Sequence, residues 1–93
     1  MSLNALNERK KLLKVLSRNG VSSILLCLDK SPKRFSQLMF DARLNPGVLN
    51  RHLKSLMQLN IVEKVSDEYV LTESGRKLVK ILKQLLNIDY QTP

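Results

Sequence analysis

Cysteine, histidine and tryptophan are nearly absent from this 93-residue chain, which has one Cys, one His and no Trp. A lone cysteine cannot form an internal disulfide, and one Cys with one His cannot complete a zinc site. The three glycines form no phosphate-binding loop, and the few nucleophiles and acids form no recognisable catalytic constellation. We therefore predict that the protein is not an enzyme and that it requires no metal and no cofactor.

Cys27 lies in the apolar stretch VSSILLCL. A thiol in such surroundings usually packs as a small hydrophobe, and this interpretation is favoured over a redox or sensing thiol.

Long apolar runs are also missing. No run approaches the ~18 residues of a membrane span, and no stretch has the pattern of a signal peptide. The length is that of a single small domain, which we assign to residues 1–93. These observations predict a cytoplasmic protein that does not contact a membrane.

Acidic residues are scarce in the first two-thirds of the chain. Residues 1–60 hold 11 Lys/Arg against 3 Asp/Glu, whereas residues 61–93 hold 5 of each, so the whole net charge of +8 belongs to the first part. Such a concentrated positive charge predicts a polyanionic partner, nucleic acid before a membrane surface.

Residues 45–60, NPGVLNRHLKSLMQLN, have the pattern of a capped amphipathic helix. Asn45 can cap this helix and Pro46 can open its first turn. Leucines recur at three- and four-residue steps along one side. The other side carries only amides and cations, because no Asp or Glu occurs between Asp41 and Glu63.

Three helices are predicted before this one. Residues 4–18 are amphipathic, and residues 21–29 form a mostly buried helix. The basic link Lys33-Arg34 then leads to a helix at 37–42. Ser36 is the predicted N-cap of that helix, and Phe35 and Phe40 stand at the positions of a hydrophobic staple.

The pattern changes after Asn60. Residues 61–65 and 69–72 are short β-prone runs joined by the tight turn Ser66-Asp67-Glu68. Thr72 can cap a last helix at about 73–87. The predicted fold is therefore mostly α with a small β-hairpin wing, an α+β winged helix-turn-helix.

The stretch FSQLMFDARLNPGVLNRHLKSLMQLNIVEK, followed by YVLTESGRKLVKIL, resembles winged helix-turn-helix transcription regulators of the ArsR, HxlR and MarR groups. The resemblance covers roughly residues 31–85. It implies that helix 45–58 enters the major groove of double-stranded DNA. Asn50 and Arg51 are then the residues that read base edges. It also places Pro46, Gly47 and Lys54 toward DNA, with Lys54 as a phosphate contact. Outside this helix, the basic link Lys33-Arg34, Ser36 and the wing cation Lys64 are further predicted DNA contacts.

His52 matches a histidine frequent in these groups, and we favour a packing or backbone-contact role for it over base reading. Two features depart from the family pattern. Arg43 stands where the turn usually has glycine, and the cysteine pairs of metal-sensing members are absent. The wing is also short, with Lys64 as its one cation.

The first and last helices carry wider apolar stripes than one domain needs. We therefore predict a homodimer whose contact includes Leu6, Leu13, Val79, Leu82, Leu86 and Ile88. The resemblance to ArsR-type repressors implies that this dimer acts as a repressor. The alternative function is a winged helix used for protein contact within a transcription or DNA-handling complex. The sequence does not identify an effector.

Overall fold

A computed structural model describes residues 2–87. Its five helices and three short strands agree with the predicted winged helix-turn-helix, mostly α with a β-hairpin wing. The elements are α1 (Leu3–Leu16), α2 (Val21–Lys30), β1 (Lys33–Arg34), α3 (Phe35–Ala42), α4 (Pro46–Gln58), β2 (Val62–Val65), β3 (Glu68–Leu71) and α5 (Glu73–Leu86).

The core is built around α2. Val21, Ile24, Leu25 and Leu28 at three- and four-residue steps give this short helix a fully buried side. The other elements pack around it with buried aliphatic residues, chiefly Val15, Leu38, Leu49, Leu53, Leu56, Ile61, Val62, Leu71 and Val79. None of the helices among residues 2–87 is both long enough and apolar enough to cross a membrane.

The sheet has three antiparallel strands in the order β1-β3-β2. Lys33-Arg34, predicted only as a basic link, forms β1 because it pairs with Tyr69 and Glu68 of β3. Glu68, predicted as part of the turn, is the first residue of β3 and pairs with Val65. The wing therefore turns through two residues, Ser66-Asp67.

The start of α3 differs from the prediction. The helix begins at Phe35 with Arg34 as N-cap, and the Arg34 backbone N–H donates to Gln37 Oε1 at 3.0 Å. Ser36 is thus an exposed residue inside the first turn and not the cap. Phe40 is 82% exposed, so the predicted staple between Phe35 and Phe40 does not form.

The turn between α3 and α4 keeps its usual shape without a glycine. Arg43 adopts a left-handed conformation, φ 55° and ψ 48°. Its N–H donates to Phe40 O at 3.3 Å, and the Leu44 N–H donates to Met39 O at 3.1 Å. This is a Schellman motif, which satisfies the last carbonyls of α3 at the cost of strain in a non-glycine residue.

A second Schellman motif ends α4 and contacts the start of α5. Asn60 is left-handed (φ 58°), and the Ile61 N–H donates to Leu56 O at 2.9 Å. Thr72, confirmed as the N-cap of α5, accepts from Gly75 N at 3.0 Å and donates to Asn60 O at 2.7 Å. One threonine hydroxyl therefore joins the end of α4 to the start of α5.

Candidate nucleic-acid interface

Helix α4 is anchored by its rear leucines. Leu49, Leu53 and Leu56 are completely buried. Asn45 is the N-cap as predicted, since its Oδ1 accepts from Val48 N at 2.9 Å, and Pro46 occupies the first turn. The buried leucines thus fix the orientation of α4 on the domain, and Asn45 and Pro46 fix the residue at which it begins.

The front of α4 is exposed and cationic. Gly47, Asn50, Arg51 and Lys54 are all exposed and lie on the side away from the leucines. Gly47 has no side chain, so the first turn of α4 presents little bulk at this position. Amides and guanidinium groups can match the donors and acceptors of base edges, whereas a carboxylate would be repelled by phosphate.

The basic residues of the sheet do not all join this surface. Lys33 and Lys64 lie on either side of Tyr69 in one cross-strand row, and Arg34 lies in the next row, opposite Glu68, on the other face. Lys33 forms an ion pair with Asp41 of α3 at 3.2 Å, and Lys64 Nζ lies 5.6 Å from the centroid of the Tyr69 ring. The ammonium groups of Lys33 and Lys64 therefore already contact other side chains of the protein.

The wing itself is acidic. From Val62 to Leu71 it carries Glu63, Asp67 and Glu68 against Lys64, a balance of three negative and one positive charge, and all four residues are exposed. A tight two-residue turn with this charge is poorly suited to a minor groove. The surface suited to DNA is therefore centred on α4.

The turn between α1 and α2 (residues 17–20, the α1–α2 turn) contacts α4. His52 is 7% exposed, and its Nε2 lies 2.9 Å from Asn19 O. Because a carbonyl can only accept, Nε2 carries the hydrogen and donates. His52 thus both packs against the domain and contacts its backbone, as we favoured over base reading. Arg18 Nη1 donates to Ser55 Oγ at 3.2 Å, a contact that no sequence pattern indicates.

An apolar surface lies on α1 and α5, and we call it the α1/α5 face. Leu13, Ile81 and Leu85 are 66%, 54% and 51% exposed, and all three line one groove of about 210 Å³ between the helices. Leu6 and Leu86 add to the exposed apolar area at 39% and 60%.

Two of the predicted dimer residues need comment. Val79 is only 1% exposed and belongs to the domain's own core, so it has almost no surface to offer a second protomer. Ile88 lies outside the described residues. Leu82 is half-buried at the groove.

Cys27 is half-buried and packs against the core. Burial raises the pKa of its thiol, and the negative charge of Asp41 adds to the same effect. Within residues 2–87, no group of three His, Cys, Asp or Glu side chains could hold a metal ion.

Two helices joined by a tight turn, with an exposed cationic second helix and a following hairpin, define a winged helix-turn-helix protein, the fold of DNA-binding transcription regulators. The family model described as "Winged helix-turn-helix" matches residues 9–89. The chain belongs to this family.

Solved structures agree with this assignment. Quinone-bound YodB from B. subtilis is 26% identical with a TM-score of 0.79, over 86% of this chain and 92% of that one. The homodimeric winged helix-turn-helix DNA-binding domain of Mb0332 from Mycobacterium bovis, a possible ArsR-family transcriptional regulator, is 16% identical with a TM-score of 0.76, over 90% and 82%. The MarR family protein Rv2887 from Mycobacterium tuberculosis is 24% identical with a TM-score of 0.67, over 88% and 66%. The predicted resemblance to ArsR- and MarR-type regulators is confirmed at the level of the winged helix-turn-helix fold. A search of curated proteins finds no match.

Proposed function

We propose that the protein is a homodimeric repressor that binds a specific double-stranded DNA sequence with α4 in the major groove. The front of α4 is the observation that carries the proposal. It is exposed, free of acids and held by a buried leucine side and a capped first turn. A major groove about 12 Å wide admits such a helix.

Within this surface, Asn50 and Arg51 are the proposed base-reading residues and Lys54 is a phosphate contact. Asparagine and arginine can make paired hydrogen bonds to adenine and guanine edges. A lysine acts chiefly through its charge. Pro46 and Gly47 bring the first turn close to the groove, while Arg34, Ser36, Lys33 and Lys64 would at most contact flanking phosphates.

The α1/α5 face supports the dimer. Its exposed leucines and isoleucine form an apolar surface that a second copy can bury, and a small chain gains stability from such burial. The structurally similar Mb0332 domain is described as homodimeric. A twofold pair sets two α4 helices about one DNA turn apart, roughly 34 Å, on one side of the duplex.

Selection of bound duplexes from a random pool tests the proposal. We expect an enriched palindrome with half-sites about one helical turn apart. Enrichment of a single short site would remove the twofold dimer, and enrichment of no sequence would favour a winged helix used for protein contact.

Substitutions on α4 then separate the roles. Arg51→Ala should cost about 1–3 kcal/mol of binding free energy on the selected duplex and much less on random duplexes. Lys54→Ala should weaken binding to both alike and lower the salt slope by about one. The control Lys80→Ala removes the same charge from an exposed position on α5. It should change neither the affinity for the two duplexes nor the salt slope. Equal losses for Arg51→Ala on both duplexes would remove its base-reading role.

A further inference from the structure

The α1–α2 turn contacts α4 through three separate features. The His52 Nε2–H donates to Asn19 O at 2.9 Å, and Arg18 donates to Ser55 Oγ at 3.2 Å. Gly20 lies so close to Leu44 that a Cβ there would come within 2.8 Å of its side chain. Residues of one short turn therefore contact both α4 and the turn that precedes it.

These contacts lie beside the reading surface and not within it. On a helical wheel Ser55 follows Arg51 by one turn, and His52 lies further round toward the buried leucines. His52 is 7% exposed, so it cannot itself reach a base. Its Nδ1 is buried and has no hydrogen-bond partner among the described residues, which leaves Asn19 O as the polar contact that orients the ring.

We propose that His52 and Arg18 are positioning residues for DNA recognition. They fix the rotation and height of α4 relative to α1, and this inference rests on the function proposed above. Base reading requires side chains at set distances from base edges, whereas binding to random DNA depends on charge. Loosening α4 should therefore reduce binding to the selected duplex and leave binding to random DNA largely unchanged.

The position of the turn has a further consequence. Helix α1 leads directly into it and also contributes Leu13 to the α1/α5 face. A displacement of α1 is thus transmitted to α4 through Arg18 and Asn19. In a dimer formed through that face, the same contacts would set the separation of the two reading helices.

The test compares variants on the selected duplex and on a random duplex of equal length. His52→Leu keeps the bulk but loses the donor, and it should lower affinity for the selected duplex about tenfold with a change below about twofold on random DNA. His52→Gln retains an N–H donor of similar reach and should recover most of the loss. The salt slope should stay constant in both variants, since neither removes a phosphate contact.

Ser55→Ala gives a second, milder variant that removes only the acceptor of Arg18. It should lower affinity for the selected duplex about threefold. Arg18→Ala should do the same, and the double variant should lose no more than Arg18→Ala alone, because the bond is already absent. Lys14→Ala, an exposed cation one turn earlier on α1, controls for the lost charge.

Equal loss on both duplexes, or full affinity of Ser55→Ala and His52→Leu for the selected duplex with unchanged thermal unfolding, would overturn the positioning role. If His52→Leu does not fold, Ser55→Ala and the double variant decide. A wild-type protein that does not distinguish the two duplexes would overturn the proposed function, and with it this inference. The wild-type measurement thus separates the two failures.

Discussion

The contact between α5 and the end of α4 predicts a large effect of a single methyl group. A Cβ added to Gly75 would stand 2.1 Å from Ile61 O, 3.2 Å from Ile61 C and 3.3 Å from a Leu71 methyl. Ile61 O cannot move easily, because it accepts from Thr72 N at 3.0 Å within the junction. Gly75→Ala must therefore push the first turn of α5 away from the end of α4.

The magnitude follows from this geometry. An ordinary carbon–oxygen contact is about 3.3 Å, so the helix must move by about 1.2 Å. Overpacking of this kind costs about 1–3 kcal/mol, and weakening the Thr72 contacts adds about 1–2 kcal/mol. The helix propensity of alanine returns about 1 kcal/mol. We expect a net loss of about 2.5 kcal/mol in the free energy of unfolding.

Thermal unfolding followed by circular dichroism measures this loss. For a domain of this size each kcal/mol lowers Tm by about 4–8 °C, so Gly75→Ala should lower it by roughly 10–20 °C. Ser74→Ala introduces alanine at the neighbouring exposed position and should shift Tm by less than about 4 °C. Protein concentration must be equal in all samples, because the proposed dimerisation would make Tm concentration-dependent.

A Tm for Gly75→Ala equal to or above that of Ser74→Ala would refute the reasoning. It would mean that the junction can open without cost and that helix propensity decides the outcome. The close approach of α5 to the end of α4 would then have no energetic significance.

Three further predictions concern other parts of the chain. Arg43→Gly should be more stable than Arg43→Ala by about 1 kcal/mol in urea unfolding, because only glycine relieves the left-handed strain, and equal stabilities would exclude that strain. Cys27 should react more slowly with iodoacetamide than in the urea-unfolded chain, and its rate should rise at higher pH. Equal labelling rates in the folded and unfolded chains would contradict this protection. The raised pKa of the Cys27 thiol also means that the free energy of unfolding falls as the pH rises past the ordinary thiol pKa. Replacing Leu13 and Leu85 together by Glu should give folded monomers in sedimentation, whereas Lys80→Glu, with the same change of two charges, should leave the dimer intact. A wild-type monomer at micromolar concentration would contradict the dimer.

Local signals predicted most of the fold. The caps Asn45 and Thr72 are confirmed because capping depends on a side chain and an N–H only three residues away. The leucine spacing of α4 likewise reports its buried side, since its period is set by the helix itself. These features require no knowledge of distant parts of the chain.

Features that depend on distant partners were missed or mispredicted. Lys33-Arg34 becomes a strand only because β3 lies beside it. Val79 and Leu86 fall on the same side of the α5 wheel, yet Val79 is buried and Leu86 is 60% exposed. Seven residues, or about 10.5 Å of helix, separate them, and the core ends in that interval. A wheel gives the direction of a side chain but not the extent of the core along the axis.

The candidate site divides in the same way. The polar front of α4 could be read directly, because its residues are exposed and lie on one helix. The ion pair of Lys33 with Asp41 and the hydrogen bond of Arg18 to Ser55 could not be predicted from the sequence. Each joins residues that only the folded chain brings together. The electrostatic availability of a cation is thus a property of the fold.

The short turn at Ser66-Asp67 makes the wing the place where this architecture can acquire a new specificity. A hairpin tip accepts inserted residues at little cost, since doubling a loop adds only about 0.6 kcal/mol of closure entropy. Extra basic residues there would lengthen the hairpin toward the minor groove while the pairing of Val65 with Glu68 and the rest of the domain stay in register. Helix α4, which is held by contacts at one side and at both ends, would be left as it is. Contact with the minor groove could therefore evolve, or be engineered, independently of the major-groove contact proposed for α4.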